Sequence, residues 1–174
     1  MARMRERIFA GLGAVLFLGS ASALTVFAIS QGGGSSPQAQ TQQACTDSQT
    51  EPTLAVPDAY TPTEPVTELQ TTDLVGGHGS AAKKGDCLVM KYYGTLASDG
   101  TKFDENFTGT TGFAFTLGQG QVISGWDQGL VGIKAGGTRR LVIPASMAYG
   151  DQAQGSIPAN SDLVFVVKLL RIQK

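Results

Sequence analysis

Short β-rich runs fill the chain from residue 67 to residue 174, and they constrain its fold more than any other feature. Cys87 to Leu96 is rich in Val, Tyr and Leu, and large apolar residues alternate from Gly112 to Leu117. Two later runs, Thr138 to Ile143 and Leu163 to Ile172, have the same character. Alternating apolar residues are typical of strands that are buried on one face. We therefore predict a sheet of several strands.

Turn signals and one helical segment complete this pattern. Ser98-Asp99-Gly100 predicts a turn, after which Lys102-Phe103-Asp104 starts a return strand. Only Ser124 to Ile133 looks helical, although its three glycines make it a poor helix without tertiary packing. The order of elements predicts an α+β fold in which an antiparallel sheet curls around one short helix. Residues 67–174 would form this single domain.

The first 30 residues are predicted to be a signal anchor or a signal peptide. Three arginines within the first seven residues precede an uncharged apolar run from Ile8 to Ile29. Such a helix is long enough to cross about 30 Å of hydrocarbon, with its positive flank in the cytoplasm. Small residues at 21–23 and 28–30 also fit a cleavage site. The length of the run favours the uncleaved anchor, and both alternatives export the domain.

Residues 31–66 are predicted to form a flexible linker. They are rich in Gly, Ser, Gln, Thr and Pro and contain five of the seven prolines. Such a segment buries too little apolar surface to offset the entropy cost of ordering it. The linker is acidic, whereas the chain from Lys83 onward has ten Lys and Arg against seven Asp and Glu. This excess is too small and scattered to indicate nucleic-acid binding.

The chain has two cysteines, Cys45 in the linker and Cys87 at the start of a strand. An even number of cysteines in an exported chain favours a disulfide between them. Lipid attachment at Cys45 is a weaker alternative, because the residues before it are polar and lie well after the apolar run. The cysteines and His78, the single histidine, are too few for a metal site. We expect no metal and no cofactor.

Seven short motifs in the domain combine aromatic rings, one carboxylate and several glycines, without a usual nucleophile. They follow the order and nearly the spacing found in FKBP-type peptidyl-prolyl cis-trans isomerases, and residues 67–174 resemble a complete domain of that family. The motifs are Tyr92-Tyr93-Gly94, Asp99-Gly100-Thr101-Lys102-Phe103-Asp104, Phe113-Ala114-Phe115-Thr116-Leu117-Gly118, Val122-Ile123-Ser124-Gly125-Trp126, Ala148-Tyr149-Gly150, Ile157-Pro158 and Leu163-Val164-Phe165.

The resemblance implies an apolar pocket, prolyl isomerase activity and roles for individual residues. Asp104 would face the carbonyl region of the substrate, Tyr149 would donate a hydrogen bond from the rim, and Trp126 would form the floor. Ile123 would offer its backbone N–H. The implied catalytic set is Asp104, Tyr149, Tyr92 and Phe103, and the implied substrate-binding set is Trp126, Val122, Ile123, Phe115, Ile157 and Phe165.

The residue types suit bond rotation. A prolyl bond must pass through a twisted state that has lost amide resonance, over a barrier of about 20 kcal/mol. The twisted amide is less dipolar, so a dry cavity lined by rings should favour it over the planar form. The resemblance implies proline-containing segments, here of exported proteins, and rapamycin-like macrolides as partners, and we expect a monomer. Residues 150–156 lack the histidine or aromatic residue of many relatives, which should alter substrate preference and macrolide affinity.

Two alternatives from other classes remain open at this point. The domain could be a tethered binding module that holds a proline-containing segment with little turnover. It could also be a spacer in a structural envelope protein. A spacer needs no pocket, so the set of Tyr92, Asp104, Trp126 and Tyr149 argues against that alternative. An isomerisation assay on a proline peptide would distinguish the enzyme from the binding module.

Overall fold

The computed structural model describes residues 45–173. The predicted signal anchor or signal peptide (residues 1–30) and the first part of the predicted linker (residues 31–44) lie outside the described residues. Within residues 45–173, no helix has both the length and the apolar character needed to span a bilayer.

The described residues form eight strands, one α-helix and one 3-10 turn. The elements are β1 (Gln70–Val75), β2 (His78–Ala81), β3 (Cys87–Leu96), β4 (Lys102–Glu105), β5 (Phe113–Thr116), α1 (Ser124–Gly129), β6 (Lys134–Ala135), β7 (Thr138–Ile143), the 3-10 turn (Ala145–Met147) and β8 (Leu163–Gln173). β3 and β7 coincide with predicted runs, whereas β1, β2 and β6 were not predicted because they are short and lack apolar alternation.

A six-stranded antiparallel sheet forms the body of the domain. Its strand order is β1-β7-β8-β3-β4, with β5 also paired to β3, and β2 pairs with β6 in a separate two-stranded sheet. The long central strands β3 and β8 pair from Cys87 opposite Gln173 to Leu96 opposite Leu163, with one register shift between Val89 and Met90. The predicted fold class is confirmed for the domain: an antiparallel sheet with one short helix.

Helix α1 ends earlier than the sequence predicted, at Gly129 instead of Ile133. Gly132, with a φ of 85°, lies in the left-handed region and cannot continue a helix. Gly125 has a packing role, since a Cβ built there would lie 2.5 Å from Cγ2 of Ile143 on β7. The glycines therefore weaken the helix locally but let its backbone approach the sheet closely, and tertiary packing compensates.

The two faces of the sheet are covered differently. The face against α1, here called the inner face, carries the main core, to which the helix contributes Trp126 and the residue after its end contributes Leu130. The opposite outer face has a smaller cluster of Ala97, Val142 and Val164. Residues 45–66, here called the strap, cover this face with Tyr60 and Val66.

The strap differs from the flexible linker predicted for residues 31–66. A disulfide joins Cys45 to Cys87, the pair that the sequence suggested. The Glu51 N–H donates to the Thr110 carbonyl at 2.7 Å, and the Leu54 N–H donates to the Phe107 carbonyl at 2.8 Å. The backbone hydrogen bonds, unlike the cysteine pair, leave no signal in composition. The domain boundary near residue 67 stays a prediction, and the strap adds contacts on its N-terminal side.

Four charged side chains reinforce the strap. The Arg171 guanidinium on β8 pairs with the carboxylates of Asp47 and Glu51, whose side chains are only 3% and 9% exposed. Asp47 also accepts a hydrogen bond from the Gly112 N–H at 2.7 Å. Further along, Cζ of Arg140 lies 3.5 Å from the centre of the Tyr60 ring. The strap is thus attached at several points along its length.

Candidate active site

An aromatic cluster surrounds Trp126, whose side chain is fully buried. α1 supplies this ring, β3 and β8 supply Tyr92 and Phe165, and β5 supplies two phenylalanines. Such ring pairs contribute about 0.5–1.5 kcal/mol each beyond the area they bury. The centroid distances from Trp126 are 5.1 Å to Phe165, 5.5 Å to Tyr92, 5.9 Å to Phe115 and 6.0 Å to Phe113.

The predicted substrate-binding residues belong to the buried part of the apolar cluster around Trp126, here called the closed part. All six are at least nine-tenths buried, and four of the partly exposed aromatic residues pack against them. The closed residues are Trp126, Val122, Ile123, Phe115, Ile157 and Phe165. The partly exposed rim residues are Tyr92, Phe103, Phe113 and Tyr149.

Phe113 is a site residue that the sequence-based set omitted. Its ring lies 5.8 Å from Tyr92 and 6.0 Å from Trp126, and it is more exposed than Phe115, which is 2% exposed. Phe113 therefore sits on the rim, whereas Phe115 lies behind it in the core. The signal was present in the sequence, since the two residues alternate on one strand and must share a face.

Gly94 allows two rings to lie directly over the β3 backbone. It stands opposite Phe165 on β8 and opposite Asp104 on β4. A Cβ built at Gly94 would lie 2.7 Å from carbons of the Phe103 ring and 2.8 Å from Cε1 of Phe165. The glycine thus makes room for the edge-to-face contact of these rings, whose centroids are 5.5 Å apart.

Asp104 is joined to the rim by a hydrogen bond from a tyrosine. The Tyr92 hydroxyl donates to Oδ2 of Asp104 at 2.7 Å, and the Glu105 N–H donates to Oδ1 at 2.8 Å. Burial, followed by the hydrogen bond to Asp104, raises the pKa of Tyr92 well above its ordinary value. Burial and then the Asp104 charge raise the pKa of Tyr149 to about 12. Both phenols therefore remain protonated donors at neutral pH.

A braced loop after the 3-10 turn holds Tyr149. Oδ1 of Asp162 accepts a hydrogen bond from the Ala145 N–H at 2.8 Å, and the Gly150 N–H donates to the Ala145 carbonyl at 2.9 Å. The Ser124 hydroxyl donates to the Met147 carbonyl at 3.1 Å and so links α1 to the turn. These bonds fix the backbone on both sides of Tyr149.

The arrangement offers an apolar surface, one carboxylate and two phenol donors. It brings together all ten predicted catalytic and substrate-binding residues, with Asp104 attached at the edge through Tyr92. Among residues 45–173, no group of three or more His, Cys, Asp or Glu side chains is arranged to hold a metal ion. These groups are suited to binding an uncharged peptide segment and stabilising a twisted bond within it.

Comparisons with known proteins agree with this geometry. A family model described as FKBP-type peptidyl-prolyl cis-trans isomerase matches residues 79–170. FK506-binding protein 3 of Eremothecium gossypii is 52% identical over 101 residues, which are 58% of this chain and 24% of that protein. A Saccharomyces cerevisiae protein named peptidyl-prolyl cis-trans isomerase is 46% identical over 118 residues, or 67% and 28% of the two chains. The chain thus spans about a quarter of the length of these curated relatives.

Two solved structures are also similar. The crystal structure of AtFKBP13 has a TM-score of 0.56 and 34% sequence identity, and the match covers 60% of this chain and 93% of that one. The crystal structure of FkpA from Escherichia coli has a TM-score of 0.56 and 41% identity, and the match covers 66% and 51% of the two chains.

Proposed function

Because the chain belongs to the family of FKBP-type peptidyl-prolyl cis-trans isomerases, we propose that it accelerates rotation about X-Pro bonds in exported proteins. One observation carries the proposal. The Tyr92 hydroxyl holds Asp104 at the open edge of a ring cluster whose floor, Trp126, is fully buried. A carboxylate and rings in this arrangement can position a prolyl amide at an apolar surface.

The apolar part of the site would act by desolvation. The proline ring would lie against the partly exposed rim rings of Phe103 and Phe113, which the buried Trp126 supports from below. A twisted amide has lost part of its dipole, so an apolar surrounding stabilises it relative to the planar form. An acceleration of about 10⁴-fold requires only about 5.5 kcal/mol. Ring contacts and one or two hydrogen bonds can supply that amount, and no proton has to leave the substrate.

The polar groups would orient the substrate. Tyr149 stays protonated at neutral pH, since its pKa is raised to about 12, and its hydroxyl would donate to a substrate carbonyl. Asp104 would face the carbonyl region beside the twisting bond, and the Tyr92 hydroxyl would restrain its carboxylate. In this assignment Tyr92 supports Asp104 as well as forming a wall.

An NMR exchange assay on a Leu-Pro peptide tests the proposal. Wild type should accelerate isomerisation, and Tyr149→Phe and Asp104→Leu should each lower kcat/KM about tenfold, equivalent to about 1.4 kcal/mol. Tyr93→Phe is a matched control, because Tyr93 adjoins Tyr92 on β3 but points to the other face of the sheet. If both site variants kept full kcat/KM while folded, these side chains would not be the catalytic set.

The binding-module alternative predicts a different result in the same experiment. It is supported by the apolar character of the site, because such a surface can hold a proline ring without promoting rotation. A peptide that binds wild type, shown by shifted resonances, without faster exchange would establish that alternative. Faster exchange that depends on Asp104 or Tyr149 would exclude it.

We further propose that the site accepts macrolides. Support comes from relatives named FK506-binding proteins and from the aromatic cluster. FK506 or rapamycin should inhibit the isomerisation. The inhibition should be weaker than in relatives that carry a histidine or an aromatic residue in this loop, because residues 150–156 have neither. Replacing Ala153 by histidine should then tighten the binding of the macrolide, measured by calorimetry.

A location outside the cytoplasm is proposed from the first 30 residues. The support is the three arginines that precede the apolar run, which favour a membrane anchor with the domain on the outer side. Protease added to intact cells, with any outer envelope permeabilised, should degrade or release the domain. Complete protection of the domain would contradict this location.

A further inference from the structure

We propose that Lys91, which lies away from the substrate, is a positioning residue for the catalytic groups. This inference rests on the proposed isomerase function. Lys91 is on β3 directly before Tyr92 and is 0% exposed. Its ammonium donates to three backbone carbonyls, those of Asn106 at 3.1 Å, Gly109 at 2.6 Å and Thr111 at 3.1 Å.

The three carbonyls use the full donor capacity of the ammonium. A lysine offers three N–H donors, and a buried charge is costly unless each donor finds an acceptor. All three acceptors belong to residues 106–112, here called the β4–β5 loop. Lys91 therefore fixes the shape of this loop from inside. Successive side chains of a strand point to opposite faces, so Lys91 faces away from the aromatic cluster that contains Tyr92.

The β4–β5 loop connects two strands that carry site residues. β4 ends just after Asp104, and β5 begins with Phe113. A displacement of the loop would therefore move the carboxylate on one side and the rim ring on the other. The acceptors of the ammonium are loop carbonyls and neither of these two residues, so the ammonium acts on them through the loop backbone.

Asn106 ties the same loop to the backbone of Tyr92. Oδ1 of Asn106 accepts a hydrogen bond from the Tyr92 N–H at 2.6 Å, and the Asn106 N–H donates to the Tyr92 carbonyl at 3.0 Å. The Tyr92 hydroxyl in turn donates to Asp104. The loop, Tyr92 and Asp104 therefore form one connected unit, and Lys91 holds the loop side of that unit in place.

The strap holds the loop from outside, so loss of the ammonium should leave the loop attached. The Thr110 and Phe107 carbonyls accept from strap N–H groups, and the Gly112 N–H donates to Asp47. A variant without the ammonium should consequently fold, although with lower stability because three partly buried carbonyls lose a charged donor. The expected defect is a mobile loop and a misplaced Asp104.

The first test compares Lys91→Met with wild type, using the full-length chain in detergent. Methionine keeps most of the side-chain volume and removes the donors. At a temperature where both proteins are folded, kcat/KM on a Leu-Pro peptide should fall about tenfold. Val142→Ala is the control for destabilisation, because Val142 lies in the outer-face cluster. That variant should lose stability and keep its kcat/KM.

A chemical rescue separates positioning from packing. Lys91→Cys, alkylated in denaturant with bromoethylamine while the Cys45–Cys87 disulfide is intact, regains an ammonium of nearly the original length. Alkylation with 1-iodopropane gives a neutral side chain of similar size. We expect kcat/KM to recover only with the ammonium. Equal recovery with both reagents, or full activity of folded Lys91→Met, would overturn the positioning role. An inactive wild type would instead refute the proposed isomerase function.

Discussion

The inner and outer faces of the sheet are stabilised in opposite ways. The inner face is held by large apolar side chains around Trp126, with ring centroids 5–6 Å apart. The outer face carries a small apolar cluster under the strap, which is attached by a disulfide, the pairing of Arg171 with two carboxylates and backbone hydrogen bonds. A segment with few large apolar residues can therefore be held in place when covalent and polar links supplement a small buried area.

The largest effect is expected on the inner face, from Trp126→Ala. Removing a fully buried indole leaves a cavity that four surrounding rings cannot fill, and should cost about 3–5 kcal/mol of the free energy of unfolding. Urea denaturation followed by circular dichroism measures this loss. Tyr60→Ala is the outer-face counterpart and should cost about 1 kcal/mol, mainly for the contact with Arg140. Equal losses from the two variants would remove the proposed difference between the faces.

The disulfide should dominate the stability of the strap. It closes a loop with a sequence separation of 42 residues, for which the chain-entropy model gives about 4 kcal/mol. Cys45→Ser combined with Cys87→Ser should lower the stability by up to that amount. In the double variant, hydrogen exchange at Glu51 and Leu54 should speed up more than exchange in β3 and β8. Uniform loss of protection would mean that the strap and the sheet unfold together.

A smaller effect is expected from Gly94→Ala, where the inner face has no spare room. The added methyl would overlap the rings of Phe103 and Phe165, and overpacking of this kind costs about 1–3 kcal/mol. Because Phe103 is a rim residue, kcat/KM should fall as well. Gly76→Ala is a suitable control, since a Cβ there meets no atom within 4 Å. Unchanged stability and activity of Gly94→Ala would show that the rings can move aside without loss.

The inner face could be predicted well from the sequence. β-rich runs predicted β3, β5, β7 and β8, with apolar alternation in β5 and β8, and the motif order identified the family, which the family model confirms. Alternation also placed Phe113 and Phe115 on one face. Alternation could not show which of the two rings is partly exposed, because the exposure of a strand residue depends on the neighbouring strand and on α1. The omission of Phe113 from the site followed from this.

The outer face could be predicted only in part. The cysteine count suggested the pairing of Cys45 with Cys87, but low hydrophobicity suggested that the segment between the anchor and the domain is flexible. The contacts of Asp47 and Glu51 with Arg171 join residues more than 100 positions apart. A single sequence contains no local signal for such pairs. The sequence also gives no signal for the role of Lys91. It reads as an ordinary strand lysine, and only the structure shows that its ammonium is buried and donates to three carbonyls.

The smallest expected effect is a pH dependence confined to the strap. Burial alone would raise the pKa of Asp47, but hydrogen bonds from the Gln49 and Gly112 N–H groups and the Arg171 charge outweigh it, so the pKa lies below its ordinary value. A carboxylate with a lowered pKa in the folded state stabilises the protein above its unfolded pKa of about 3.9. This contribution is lost as the pH falls through the folded-state pKa.

The difference in stability between wild type and Asp47→Asn isolates that contribution. Asp73, paired with Arg139, also has a lowered pKa and adds its own acid dependence, but it is present in both proteins. Urea unfolding should show wild type more stable than Asp47→Asn at pH 7, with the difference shrinking as the pH falls below about 4. Urea is preferable to guanidinium, whose salt would screen the pairing with Arg171. A stability difference that stays constant down to pH 2.5 would mean that the charge of Asp47 does not hold the strap. The backbone hydrogen bonds would then account for its role, because the Gln49 and Gly112 N–H groups donate to different oxygens of Asp47 and an asparagine side chain has only one oxygen that can accept.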